Sequence, residues 1–137
     1  MRRYGGLTHG AGDHVIEHSV ELARAAADAL FAKNGADIVL LDVEEAFFLS
    51  DVFVIVTGSS RINVQALADH VEESLGERFE VKPLRVEGRT EGEWCLVDFG
   101  DIIVHIFQAE PREYYSLERL WGDAGRIRWE EPAVTDG

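Results

Sequence analysis

Trp94-Cys95-Leu96-Val97-Asp98-Phe99-Gly100-Asp101-Ile102-Ile103-Val104-His105-Ile106-Phe107 decides how this chain folds. The stretch reads as two strands joined by a Gly100-Asp101 turn. Glycine at the first position of a two-residue loop supplies the positive φ of a type II′ turn. With that loop, Phe99 faces Ile102, Val97 faces Val104 and Cys95 faces Ile106. Side chains alternate across a strand, so these six share one apolar face, the expected core face. The opposite face pairs Asp98 with Ile103, Leu96 with His105 and Trp94 with Phe107. Tryptophan among apolar neighbours with a polar rim suits either packing under a loop or a protein–protein hot spot.

Outward from the hairpin, the pattern alternates between helix and strand. Residues 1–12 are glycine-rich and aperiodic, and are expected to form a flexible arm. Asp13 can cap a helix running to Lys33, with Val15, Leu22, Ala26 and Leu30 at helical spacing and Ser19 as a gap. Asn34-Gly35 tolerates the left-handed conformation and ends it. Ile38 to Val43 and Val52 to Val56 are short apolar runs that read as buried strands. The connection between them carries two adjacent aromatics, Phe47 and Phe48.

Thr57-Gly58-Ser59-Ser60 leads into a second helix over Arg61 to Leu75, striped by Val64, Leu67, Ala68, Val71 and Leu75 and stopped by Gly76. Residues 79–87 form a weaker strand that Pro83 confines to an edge. After the hairpin, Pro111 opens a third helix whose buried side carries Tyr114, Leu117, Leu120 and Trp121. The expected architecture is α/β (α+β), one mixed five-stranded sheet with helices mainly on one face, over residues 13–123. Residues 124–137 are expected to be an irregular acidic tail. A sheet covered on one side leaves its other face to water or to a partner.

The 137 residues suit a single domain with a proper core. Lys and Arg total 13 against 26 Asp and Glu, a formal charge of -13. That excess argues against binding DNA or other nucleic acid through a basic surface, and favours a basic partner or simple solubility. The single cysteine, Cys95, has no internal disulfide partner and sits in a core strand, which fits a reducing cytoplasm. No signal peptide and no hydrophobic run of membrane-spanning length is present, so no membrane attachment is expected.

Three motifs raise chemistry. His14-Val15-Ile16-Glu17-His18 matches H-x-x-E-H, but zinc needs a third ligand and a cleft, and this lies at the start of a helix. Gly58-Ser59-Ser60 between a strand and a helix can hold a phosphate; it also serves as an ordinary N-cap. A nucleotidyltransferase built there needs paired carboxylates on a nearby strand, and Asp98 and Asp101 flank a turn instead. His105 can reach Asp98 across the sheet face, with no serine or cysteine nucleophile beside it. The expectation is no catalytic residue, no metal and no cofactor.

Four blocks in order then carry a resemblance: Leu49 to Ser60, Val64 to Asp69, Trp94 to Phe107 and Arg112 to Asp123. Together they resemble the ribosomal silencing factor family, RsfS or Iojap, over residues 13–123. The resemblance implies a nucleotidyltransferase-like fold without its catalytic carboxylates. It implies a non-enzymatic protein that binds the large ribosomal subunit through ribosomal protein L-fourteen. Such a protein blocks joining of the small subunit, lowers translation under nutrient limitation, and is often a homodimer when free. The family's tryptophan is Trp94 here, which places Trp94 on the partner-binding surface with Leu96, Asp98, His105 and Phe107. The competing readings are a nucleotidyltransferase-like enzyme using Gly58 and Ser59, and a self-associating module whose Trp94 face binds a second copy.

Overall fold

The strand at the centre of the molecule, β2 (Val52–Gly58), is buried at every residue but Thr57. The computed structural model describes residues 10–44, 50–120 and 125–132, with side chains from residue 17 onward. Phe47, Phe48 and Trp121 lie outside the described residues, as do the side chains of His14, Val15 and Ile16. Burial on both faces explains why β2 reads as a continuous apolar run rather than an alternating one. It pairs in parallel with β5 (Ile102–Gln108) and antiparallel with β1 (Ala36–Asp42).

Beyond β5 lie β4 (Trp94–Asp98) and the three-residue edge strand β3 (Arg85–Glu87). Beyond β1 lies β6 (Gly125–Ile127), so the sheet among the described residues has six strands in the order β3-β4-β5-β2-β1-β6. The expected five-strand count is corrected by β6, which forms inside the segment read as irregular. Two exposed residues and the partly buried Ile127 are too few to carry a hydrophobic pattern, so nothing in them signals a strand. Trp129, just beyond, donates its indole N–H to Asp28 at 2.9 Å and meets the Phe31 ring edge-on at 6.1 Å.

The β4–β5 register is the expected one, from Trp94 opposite Phe107 to Asp98 opposite Ile103. Gly100 has φ +92, and the Phe99 N–H bonds the Ile102 carbonyl at 2.9 Å to close the turn. The apolar face from Cys95 to Ile106 is buried in the main core, against α1 (Gly10–Ala32) and α2 (Arg61–Phe79). Alanines on α1 let it approach closely: Ala23, Ala26 and Ala27 have no exposed surface. Ser19, the gap in its stripe, is fully buried and donates to Asp51 at 2.7 Å, so the hydroxyl is bonded rather than stranded.

Helix α2 runs one turn beyond Gly76, because the Gly76 carbonyl accepts the Glu80 N–H at 3.0 Å and Glu80 itself takes the left-handed cap at φ 58. The third helix also departs from expectation. It splits into α3 (Ala109–Tyr115) and α4 (Leu117–Leu120), separated by Ser116 at φ 48. The break rotates the stripe: Leu117 is buried, whereas Tyr114 and Leu120 are 81% and 68% exposed.

Candidate functional site

The second face of the sheet is where the structure most alters the reading of its residues. Leu41, Val43, Phe53, Ile55, Ile103, Phe107 and Leu117 form a second core cluster there. Phe107 is wholly buried and His105 is 4% exposed. Full burial of a phenylalanine ring stabilises a fold by roughly 2–3 kcal/mol. Both residues lie in the floor of that face rather than at its surface. Leu117, just past the turn at Ser116, joins this second core, and the Tyr115 ring of α3 lies 6.4 Å from Phe107.

Trp94 and Leu96 are half-buried at the margin of this second core. The Trp94 indole N–H donates to His105 Nδ1 at 3.2 Å. Its ring stacks on Phe107 at 4.9 Å and meets Tyr115 at 4.6 Å. Tyr115, 49% exposed, in turn meets Tyr114 edge-on at 5.0 Å. An aromatic ladder, Trp94–Tyr115–Tyr114, thus runs from the second core out to solvent. Tyr115 was missed by sequence reasoning; its ring meets Trp94 through the placement of α3 against the hairpin, which no spacing rule announces.

Asp98 is engaged within the fold. Its Oδ1 accepts the Gly100 N–H at 2.8 Å and its Oδ2 accepts Arg85 Nε at 3.3 Å. Arg85 also pairs with Glu87 at 2.9 Å. Asp98 is thus first a turn residue that fixes the hairpin. Glu93 and Glu110 have no such partner among the described residues. They line a cleft of about 680 Å³ between the start of α2 and α3, with Tyr114 and Tyr115 on its wall.

The start of α2 is capped by its own side chains. Ser60 is the N-cap and its hydroxyl accepts the Asn63 N–H at 3.0 Å. Asn63 Oδ1 accepts the Ser59 N–H at 2.9 Å. The facing carboxylates of Glu93 and Glu110 add like-charge repulsion toward any phosphate. Elsewhere, Glu17 and His18 are exposed, and among the described residues no three His, Cys, Asp or Glu side chains gather to hold a metal. Cys95 is fully buried, and burial pushes its thiol up to about 11. No helix among the described residues is long and apolar enough to cross a membrane.

Gly88 sets the entry to β4. It has φ +80, and a Cβ there would lie 2.1 Å from the Trp94 carbonyl oxygen. Gly88→Ala is expected to lower unfolding free energy by about 2 kcal/mol or more, since strain and clash add. Urea midpoints of the two proteins check this; equal midpoints would contradict the backbone contact.

Fold and site together define an open-sheet α+β domain that carries an aromatic surface cluster at one end of its second face. The family model described as ribosomal silencing factor during starvation matches residues 16–136. A ribosomal silencing factor RsfS of Bacillus subtilis is 41% identical over 104 residues, covering 75% of this chain and 86% of that protein. The chloroplastic protein Iojap of Arabidopsis thaliana is 30% identical over 118 residues, 82% of this chain and 44% of that one. A crystal structure of a Chromobacterium violaceum protein superposes with a TM-score of 0.72 at 36% identity, covering 85% of this chain and 92% of the other. The chain belongs to the ribosomal silencing factor family, RsfS/Iojap.

Proposed function

We propose that this protein is a non-enzymatic translation repressor of the cytoplasm that docks on the large ribosomal subunit through ribosomal protein L-fourteen. The bound domain then occupies space the small subunit needs, so silencing is steric and requires no cofactor. The observation that carries the reading is the half-exposed ladder Trp94–Tyr115–Tyr114 beside Leu96, on a chain of charge -13. Aromatic anchors with a polar rim are what interface hot spots are made of. Glu91, Glu93 and Glu110, rather than Asp98, supply the free rim carboxylates. Such charges speed encounter with a basic partner and set its orientation.

The test is subunit joining. Large subunits preincubated with the protein are expected to form fewer joined ribosomes when small subunits are added. An unchanged joined fraction at saturating protein would remove the proposal. Raising salt is expected to weaken docking, because rim pairs are screened within about 8 Å at physiological ionic strength. The mass of the free protein, measured alongside, reads out the self-association that the family resemblance implies.

A further inference from the structure

The block Arg112-Glu113-Tyr114-Tyr115-Ser116-Leu117-Glu118 contains more than its two tyrosines. Arg112 Nε and Nη2 donate to the two oxygens of Glu118 at 3.2 and 2.8 Å. Its Nη1 donates to Thr57 Oγ1 at 2.8 Å and to the Asp37 carbonyl at 2.7 Å. The guanidinium thereby bridges α3 to α4, to the end of β2 and to the start of β1. Its side chain is only 11% exposed.

Helix α3 needs such a clasp. It has seven residues, none of them buried, and Gln108 gives it no side-chain cap. A helix that short is unstable unless something outside it holds it. What α3 carries to the surface is Tyr115, whose ring lies 4.6 Å from Trp94. A planar, five-donor guanidinium can fix several partners in one geometry, which a lysine cannot.

We propose that Arg112 is a positioning residue for docking: its fork on Glu118, Thr57 and Asp37 fixes α3 so that Tyr115 stays against Trp94 and completes the aromatic platform. The inference rests on the docking role of the Trp94 face and adds its mechanical support. Nothing of Arg112 itself need touch the partner.

A double-mutant cycle tests it, with affinity for isolated large ribosomal subunits as the readout and every protein checked as folded by circular dichroism. Arg112→Gln and Tyr115→Ala are each expected to weaken binding by about tenfold. The double variant is expected to bind no worse than Tyr115→Ala alone, because Arg112 acts through Tyr115. A merely structural arginine lowers the melting temperature without this coupling. Arg112→Lys keeps the charge but loses the fork, and is expected to fall between wild type and Arg112→Gln. If Arg112→Gln fails to fold, Thr57→Val and Glu118→Gln each remove one arm and enter the same cycle. Binding by Arg112→Gln within about twofold of wild type, or multiplying losses in the double variant, overturns the clasp alone. Absence of wild-type binding overturns the docking role on which it stands.

Discussion

Trp94→Ala is expected to cut affinity for large ribosomal subunits by between about 30-fold and 1,000-fold, the range that a loss of about 2–4 kcal/mol at a hot spot produces. The side chain is placed for such an effect. It is half-buried, braced beneath by Phe107 at 4.9 Å and flanked by Tyr115 at 4.6 Å. A pre-stacked ring has little rotamer freedom left to lose on binding. Because it also roofs the second core, the same change is expected to cost about 1–2 kcal/mol of folding stability. Trp94→Phe separates the two roles: it keeps a ring on Phe107 and loses only the N–H bond to His105. Leu84, 74% exposed next to the edge strand β3, is the control, and Leu84→Ala is expected to leave binding unchanged. Co-sedimentation at a temperature where all variants are folded decides the matter. Undiminished binding by folded Trp94→Ala would show that the anchor lies elsewhere.

Much of this surface could be read before any coordinates, and the reason is local. The hairpin's register follows from period-two alternation and one glycine turn, so the Trp94–Phe107 and Leu96–His105 pairs were legible. What was not legible depends on contacts distant in sequence. Phe107 faces a core that includes Leu117, which follows the break of the third helix at Ser116 (φ 48), with the Tyr115 ring of α3 at 6.4 Å. A serine in a left-handed cap has no distinctive spacing, so a continuous stripe through Tyr114 and Leu120 looked equally good. β6 is hidden for a related reason: it is held by backbone pairing with Leu40 to Asp42 and by one apolar side chain, Ile127, on the main core, too little to set a pattern.

These misreadings share a consequence for how the face works. An open sheet face would present a flat row of residues from two strands. Instead, Ile103 and Phe107 of β5 belong to a small second core, with Val39, Trp94 and Leu96 at its margin and the tyrosines of α3 exposed beside it. The proposed docking patch is thereby smaller and better braced than an open hairpin face would be. Its support differs from that of the main core. Behind it stand one indole–imidazole hydrogen bond and the Arg112 clasp. Changes there are expected to alter docking before they unfold the domain, whereas changes at Leu67 or Val104 in the main core do the reverse.

Acid should expose the weak point of that support. His105 accepts the Trp94 N–H on Nδ1, so its own proton sits on Nε2, which is buried and has no hydrogen-bond partner among the described residues. The Phe53 ring lies edge-on at 4.6 Å, leaving little room for a hydrated imidazolium. Burial pushes the His105 pKa down to about 4, and the charge of Asp98 only partly opposes it. In the unfolded chain the same ring titrates near 6.5. Between those values the unfolded state binds more protons, so stability rises with pH, and it is lost as pH falls from about 6.5 to about 4. The full effect is about 3 kcal/mol, of which about 2 kcal/mol is gone by pH 5. Glu118, held below the usual carboxylate range by its hydrogen bonds from Arg112, loses its stabilisation only at lower pH. The interval from pH 6.5 to 5 therefore isolates the histidine from that carboxylate. Urea unfolding at pH 7 and pH 5 is expected to show the 2 kcal/mol loss in wild type and less than half of it in His105→Phe. Equal losses in the two proteins would mean that His105 is charged in the fold. Within the fold the imidazole stays neutral down to about pH 4, so the Trp94 N–H keeps its acceptor, and folded wild type is expected to dock equally well at pH 6.5 and pH 5.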